Sequence, residues 1–233
     1  DSHGNVLHLG ERDCSIQRRF QKLIEETPSP GIDSDLRSKI TRAAVRIARA
    51  VNYTGAGTIE FLVNPEGQFF FIEMNTRLQV EHPVTEEVTG LDLVKEQIRI
   101  AAGEELTLQQ KRVEFRGCAI ECRINAENPA DGFRASPGTV RRFNPPGGRG
   151  VRIDSHCYSG YEVKPCYDSM IGKLIVHQPT RAEALACLRR ALTEFTIEGI
   201  HTTIPFYRDL INHGGYASGR FDTHFVEDFL EGA

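Results

Sequence analysis

The chain has 233 residues, of which 39% are hydrophobic and 26% charged, and this length suffices for one large domain or two modest ones with cores of their own. The net charge of -4, the lack of a basic block and the lack of a long apolar run predict a cytoplasmic globular protein with neither nucleic acid nor membrane as a partner. Six scattered cysteines without a CxxC pair indicate reduced thiols, not a disulfide framework or a zinc site.

The first half of the sequence predicts strands and helices in alternation. Turn residues run straight into an apolar segment at the start, as in the middle of a domain, so we expect a fragment of a longer protein. Asp33 or Ser34 is the expected N-cap of the first helix. In chain order the predicted elements are an opening strand (6–9), a polar, basic loop (11–22), a helix (35–51), a hairpin of two strands (57–63 and 68–75) and a second helix (91–102).

The second half has a different character. From Arg116 onward, short apolar segments alternate with Pro/Gly turns, and helical spacing returns only near the end. Three helices are predicted there, over residues 181–195, 203–212 and 223–230. The polar stretch 104–114 predicts a boundary between domains 1–113 and 114–233. The expected fold class is α+β, with antiparallel sheets packed by helices.

Polar residues recur at every second position after the predicted hairpin. These are Glu73, Asn75, Arg77, Gln79 and Glu81. Where the chain is extended, alternate side chains project to the same face. Such a row makes a poor core, and it offers oxygen ligands at one end and an anion clamp beside an acid at the other. The pattern is typical of the floor of an active site.

The hairpin adds a second carboxylate to this row. If its loop centres on Pro65-Glu66, Glu60 lies opposite Phe71 and shares a face with Glu73 and Asn75. Two carboxylates and an amide suit Mg²⁺ or Mn²⁺, which prefer oxygen ligands. The alternative is a pair of solvated acids on an exposed sheet face. The bulky apolar residues on the other face favour the metal.

Arg77 and Glu81 have two interpretations. The fork of donors on Arg77 suits a planar oxyanion such as a carboxylate or bicarbonate. Glu81 within reach of that anion could then act as a base, if its surroundings raise its pKa. The alternative is an exposed Arg–Glu pair, which is common and contributes little stability. Spacing alone leaves both open.

A longer motif resembles a known family. Met74-Asn-Thr-Arg-Leu-Gln-Val-Glu-His-Pro83 is similar to the signature of biotin carboxylases, which are ATP-grasp enzymes. The same resemblance covers residues 11–19, 21–22, 55–58, 121–127 and 167–173, in family order. It implies the C-terminal part of an ATP-grasp domain followed by a biotin carboxylase C-terminal domain.

The resemblance implies functional roles for eight residues. The metal ligands are Glu60, Glu73 and Asn75, of which the two glutamates also contact ATP; Lys22, Arg77 and the backbone of Val80 bind bicarbonate; Arg77 and Glu81 are catalytic, the latter as base; and Arg123 binds biotin. Phe20 stands where the family pattern has a histidine, and Arg149 where it has an aromatic residue at a dimer contact.

The implied activity is ATP-dependent carboxylation of biotin by bicarbonate through carboxyphosphate. ATP, Mg²⁺ (or Mn²⁺) and biotin are the implied cofactors. Met occurs only at Met74 and Met170, so the sequence has no biotinylation motif, and biotin is expected on a biotin carboxyl carrier protein or domain. A carboxyltransferase subunit and a homodimer are further expected partners, and the compartment is the cytoplasm or the mitochondrial matrix. The alternatives are another ATP-grasp ligase and a non-catalytic scaffold.

Overall fold

The computed structural model describes residues 1–232, which form two compact units. The first unit consists of Asp1–Arg12 and Thr27–Arg116, and the second of Asp13–Glu26 and the chain from Gly117 onward. The second unit is therefore discontinuous in sequence. The division into domains 1–113 and 114–233 stays a prediction, to which the structure adds that residues 13–26 pack with the later residues.

Strands and helices are numbered in chain order. The strands are β1 (Asp13–Arg18), β2 (Gln21–Thr27), β3 (Thr58–Val63), β4 (Phe69–Asn75), β5 (Cys118–Asn125), β6 (Glu127–Asn128), β7 (Arg134–Ala135), β8 (Gly138–Thr139), β9 (Arg142–Asn144), β10 (Val151–Ser155), β11 (Glu162–Val163), β12 (Met170–Gln178) and β13 (Thr196–Glu198). The helices are α1 (Ser34–Ala50), α2 (His82–Thr89), α3 (Leu93–Ala101), α4 (Arg181–Glu194), α5 (Ile204–Leu210), α6 (Gly214–Ala217) and α7 (Phe225–Glu231).

The α+β class is confirmed. The five predicted helices are confirmed as α1, α3, α4, α5 and α7, with ends shifted by at most a few residues. The Asp33 side chain accepts a hydrogen bond from the backbone N of Leu36 at 2.8 Å, so Asp33 is the N-cap of α1. The two strands of the central hairpin are confirmed as β3 and β4. No helix in the described part of the chain combines the length and apolarity needed to cross a membrane.

The two secondary-structure predictions for the first 22 residues, a strand over 6–9 and a loop over 11–22, are wrong. Residues 6–9 form no strand, and the Asp1 carboxylate instead accepts backbone hydrogen bonds from His3, Asn5 and Leu106, which fix this segment without a partner strand. The polar segment predicted as a loop contains β1 and the start of β2. Arg19 and Phe20 both have positive φ and form a tight turn between the two strands. Neither is a usual residue for such a turn, so no local pattern indicated this hairpin.

In the first unit, β3 and β4 form a two-stranded antiparallel sheet. The ring of Phe61 on β3 contacts the rings of Phe69 and Phe71 on β4 edge to face, with centroids 5.4 and 6.4 Å apart. This aromatic cluster fixes one face of the hairpin. The polar side chains of the hairpin project from the other face.

The second unit is built on a five-stranded sheet in the order β1-β2-β5-β12-β10. One face is apolar: Cys122 pairs with Leu174 across β5 and β12, and both side chains lie in the hydrophobic core. The opposite face carries charge, because Arg123, Lys173 and Asp154 lie side by side on β5, β12 and β10. Alternation along the strands thus separates a core from a polar face.

The buried thiol of Cys118 should make the protein less stable at alkaline pH. Burial raises the pKa of Cys118 to about 12, with a further contribution from Glu26. The unfolded thiol titrates near a pKa of about 8.5. Between those values the unfolded state loses a proton that the native state keeps, so the free energy of unfolding falls as pH rises, by up to about 1.4 kcal/mol per pH unit. We expect Cys118→Ala to flatten this slope in urea unfolding between about pH 8.5 and 10.5.

The control for this prediction is Cys166→Ala, because Cys166 is exposed. It should leave the slope unchanged. Equal slopes for the parent and Cys118→Ala would contradict the prediction.

Candidate active site

The β3–β4 hairpin brings two acids directly opposite each other. Glu60 pairs with Glu73, and Phe61 pairs with Phe71, so Ile72 is an extra residue that forms a β-bulge in β4. The predicted register, with Glu60 opposite Phe71, is wrong. The predicted grouping of Glu60 with Glu73 on one face is nevertheless correct, because the extra residue in the bulge places Glu60 directly opposite Glu73.

At Glu60 the predicted register is wrong by two residues, of which the bulge accounts for one and the turn for the other. Asn64 N donates to Gln68 O at 2.9 Å, which closes a loop of three residues instead of two. Gly67 has φ +75°, as expected for a type I turn followed by a left-handed residue. A loop centred on Pro65-Glu66 is one residue too short to describe it.

A polar cluster forms on the open face of the hairpin. Asn75 Nδ2 donates to Glu60 Oε1 at 3.1 Å and to Glu73 Oε1 at 3.0 Å. Gln79 Nε2 donates to Glu60 Oε1 at 2.8 Å, and Arg77 Nη2 donates to Asn75 Oδ1 at 3.3 Å. The structure therefore brings together the three predicted metal ligands, the predicted catalytic arginine and Gln79.

Arg12 hydrogen-bonds Gln79 of this cluster. This contact was not predicted from the sequence. Arg12 Nη2 lies 2.6 Å from Gln79 Oε1 and 2.9 Å from Thr58 Oγ1, and its Nη1 lies 3.0 Å from Thr85 Oγ1. Arg12 thus fixes the amide of Gln79 with its NH₂ group toward Glu60. The polar row of the sequence contained Gln79, but no local pattern pointed to Arg12, which lies far away in the chain.

The row of alternating polar residues extends less far than expected. β4 ends at Asn75, and the exposed Arg77 follows in a bend. Glu81 is the N-cap residue of α2 and only 2% exposed, with Val80 in the turn just before it. Pro83 lies in the first turn of α2, where a proline interrupts no helical hydrogen bond. The sequence predicted no helix here, because the alternating row was interpreted as extended chain up to Glu81, directly before α2.

The cluster fits a divalent cation. The carboxylates of Glu60 and Glu73 both accept hydrogen bonds from Asn75 Nδ2, which carries partial positive charge. The space between the two carboxylates therefore also attracts a cation. Hard oxygen ligands of this kind suit Mg²⁺, which completes its coordination with water and phosphate oxygens. Within residues 1–232 no group of three or more His, Cys, Asp or Glu side chains could hold a metal ion, so two acids and an amide are the relevant set.

Glu73→Gln tests this assignment in the whole protein. The substitution removes one negative charge from the cluster and keeps its size, so we expect a higher Mg²⁺ concentration for half-maximal activity and weaker binding of Mn²⁺ in a direct titration. Glu66→Gln is the control, because Glu66 is exposed in the turn of the same hairpin. Identical metal titrations for Glu73→Gln and Glu66→Gln would refute a metal site here.

Lys22 and Arg123, the remaining predicted site residues, belong to the second unit. Lys22 lies on β2 opposite Gln17, and Arg123 lies on the neighbouring strand β5. Arg123 forms an ion pair with Glu25, which sequence reasoning missed, although an acid in the apolar segment of β2 was a signal. Phe20, at the tip of the β1–β2 turn, is 95% exposed.

Two family models match the chain. "Carbamoyl-phosphate synthase L chain, ATP binding domain" matches residues 1–109, and "Biotin carboxylase C-terminal domain" matches residues 121–228. Biotin carboxylase 1 of Bacillus subtilis is 59% identical over 98% of this chain and 51% of its own length. Biotin carboxylase of Nostoc sp. is 60% identical over the same shares of the two chains.

Solved structures show the same likeness. The biotin carboxylase subunit of a pyruvate carboxylase superposes with a TM-score of 0.97 and 49% identity, over 99% of this chain and 51% of that one. The biotin carboxylase domain dimer of Hydrogenobacter thermophilus 2-oxoglutarate carboxylase, solved with MgADP, ADP and bicarbonate, superposes with a TM-score of 0.96 and 49% identity, over 98% and 50%. The chain spans about half the length of the relatives it matches.

Proposed function

The chain belongs to the biotin carboxylase family, and we propose that the protein it comes from carboxylates biotin, carried on another protein or domain, with bicarbonate and ATP. The chain would supply the C-terminal part of the ATP-grasp domain and the carboxylase C-terminal domain.

One observation carries the proposal. Glu60, Glu73 and Asn75 form a single hydrogen-bonded cluster, with Arg77 bound to the amide oxygen of Asn75. Phosphoryl transfer from ATP needs oxygen ligands for a cation beside a fixed positive charge that attracts the acceptor anion. The 2-oxoglutarate carboxylase domain was solved with a magnesium nucleotide and with bicarbonate, which are the two kinds of ligand that such a cluster suits.

The proposed chemistry begins at the first unit. Mg²⁺ held by the two glutamates and Asn75 would offset the charge of the phosphates of ATP. Arg77 supplies the neighbouring cation for bicarbonate, and its planar fork suits the anion. Glu81, held at the start of α2, is proposed to take the bicarbonate proton. The bicarbonate oxygen then attacks the γ-phosphate, the bond to the β-phosphate breaks, and carboxyphosphate forms as ADP leaves.

The second unit carries the proposed groups for the other two contacts. Lys22 is proposed to add positive charge at bicarbonate, and Arg123 to face the ureido oxygen of biotin. Carboxyphosphate would break down to CO₂ and phosphate, and the phosphate would take the ring N–H proton of biotin. The resulting enolate would then bond to CO₂ through that nitrogen, so negative charge develops on the ureido oxygen before capture. A guanidinium held in place before the reaction stabilises such charge best.

The proposed partners follow from the same reaction. The protein would meet a biotin carboxyl carrier protein and a carboxyltransferase subunit, and it would form a homodimer, as the 2-oxoglutarate carboxylase domain does. The six free cysteines support a reducing compartment, which we propose to be the cytoplasm or the mitochondrial matrix.

Phosphate release from ATP tests the proposal in the whole protein. We expect release to require bicarbonate and to increase when free biotin is added. Bicarbonate-dependent release without any effect of biotin would favour another ATP-grasp ligase, and no release at all would favour a scaffold. We expect the 233-residue chain alone to be inactive in the same assay, because phosphoryl transfer needs all phosphate-binding groups positioned together.

A further inference from the structure

The guanidinium of Arg123 pairs with the buried carboxylate of Glu25. Arg123 Nε and Nη2 lie 2.6 and 2.5 Å from Glu25 Oε1, which is the range of charge-assisted hydrogen bonds. The Glu25 side chain has 0% exposed surface, whereas 17% of the Arg123 side chain is exposed. The carboxylate therefore lies behind the guanidinium, and the arginine is the member of the pair that a ligand can reach.

The main chain of Arg123 is fixed as well. Thr203 Oγ1 donates to the carbonyl oxygen of Arg123 at 3.0 Å, and the Tyr207 hydroxyl lies 2.7 Å from the same oxygen. Burial raises the pKa of Tyr207 well above its usual value, so this hydroxyl keeps its proton. With its backbone restrained, the freedom left to Arg123 is the rotation of its long side chain, and Glu25 restrains that rotation.

We propose that Glu25 is a positioning residue for the biotin step, which orients the Arg123 guanidinium before biotin binds. This inference rests on the proposed function. A free arginine side chain has many rotamers, and ordering it during the reaction uses binding energy that a preoriented one does not. Glu25 acts through Arg123.

The neighbouring acid on the same strand offers a matched control. Glu26 is 2% exposed, and its two carboxylate oxygens lie 2.7 and 3.1 Å from Arg181 Nε and Nη2. Successive strand side chains alternate faces, so Glu26 points to the side of α4 and Glu25 to the charged face of the sheet. Both acids form buried ion pairs with an arginine, but only Glu25 touches Arg123.

The experiment compares Glu25→Gln and Glu26→Gln with the parent in the whole protein. Both changes keep side-chain volume and remove one charge. For Glu25→Gln we expect KM for free biotin to rise about tenfold, while bicarbonate-dependent phosphate release without biotin stays within about twofold of the parent. For Glu26→Gln we expect a lower thermal midpoint and an unchanged KM for biotin. On an Arg123→Ala background, Glu25→Gln should have no further effect on the biotin-dependent rate.

The inference is overturned if Glu25→Gln lowers the reactions with and without biotin equally, or if Glu26→Gln raises KM for biotin as much. Should Glu25→Gln not fold, Glu25→Asp keeps the charge and moves the carboxylate by one carbon, and an unchanged KM for biotin in that variant equally overturns it. A parent without biotin-dependent turnover refutes the proposed function and this inference with it. An active parent matched by Glu25→Gln refutes this inference alone.

Discussion

In the whole protein, we expect Arg77→Ala to lower the rate of the proposed biotin carboxylation by about 10²- to 10³-fold, or about 3–4 kcal/mol of transition-state stabilisation. The reason is the position of Arg77 beside the predicted metal ligands, where its Nη2 contacts Asn75 Oδ1 at 3.3 Å. A fixed cation at this point attracts the acceptor anion and stabilises charge during phosphoryl transfer. The measurement is bicarbonate-dependent and biotin-dependent phosphate release under saturating ATP.

Two variants control for charge and for stability. Arg99→Ala removes an arginine from α3 in the same unit, where it pairs with Glu96 at 2.8 Å on the surface, and it should behave like the parent. Arg77→Lys keeps the charge without the planar fork and should fall between the parent and Arg77→Ala. Near-normal turnover in Arg77→Ala would remove Arg77 from the active site.

Residues 114–233 expressed alone should not fold cooperatively. This segment lacks β1 and β2 of the five-stranded sheet, and with them Ile16, Leu23 and Ile24 of the hydrophobic core and Glu26, the partner of Arg181. Loss of a single large core side chain costs about 2–5 kcal/mol, and whole domains have only about 5–15 kcal/mol of stability. Thermal unfolding followed by circular dichroism should show no sharp transition.

The control joins residues 13–26 to the front of the same segment through a flexible Gly/Ser linker. Because this restores the two missing strands, we expect a cooperative transition to return. A sharp transition in residues 114–233 alone would show that the hairpin is dispensable, and the boundary predicted from the sequence would then mark a unit that folds by itself.

Local sequence signals predicted much of the fold. Asp33 as a cap and helical spacing located α1 correctly, because these signals act within a few residues. The turn between β3 and β4 was recognised, but its length was not, since a three-residue loop and a two-residue loop differ only in whether Gly67 takes a left-handed conformation. The β1–β2 hairpin was missed because Arg19 and Phe20 occupy a turn that usually holds glycine or asparagine.

The residues of the candidate site were likewise predicted only in part. Alternation on a strand was sufficient to group Glu73 with Asn75, and the hairpin brought in Glu60. No such rule gives the partners of Arg12 and Glu25, because each contacts a residue far away in the sequence, Gln79 and Arg123 respectively. Side chains that hold functional groups in place are set by tertiary packing, which periodicity does not encode.

The discontinuous second unit also has a consequence for synthesis. β1 and β2 leave the ribosome well before β5, the next strand of their sheet, which begins at Cys118. One edge of β2 therefore has no native neighbour until the entire first unit has been made. Pairings across such sequence separation form slowly, and open strand edges invite wrong association in the meantime. A substitution that delays folding of the first unit would keep the edge of β2 exposed for longer. It would thus increase aggregation of nascent chains through the β1–β2 hairpin, although no residue of the sheet itself is changed.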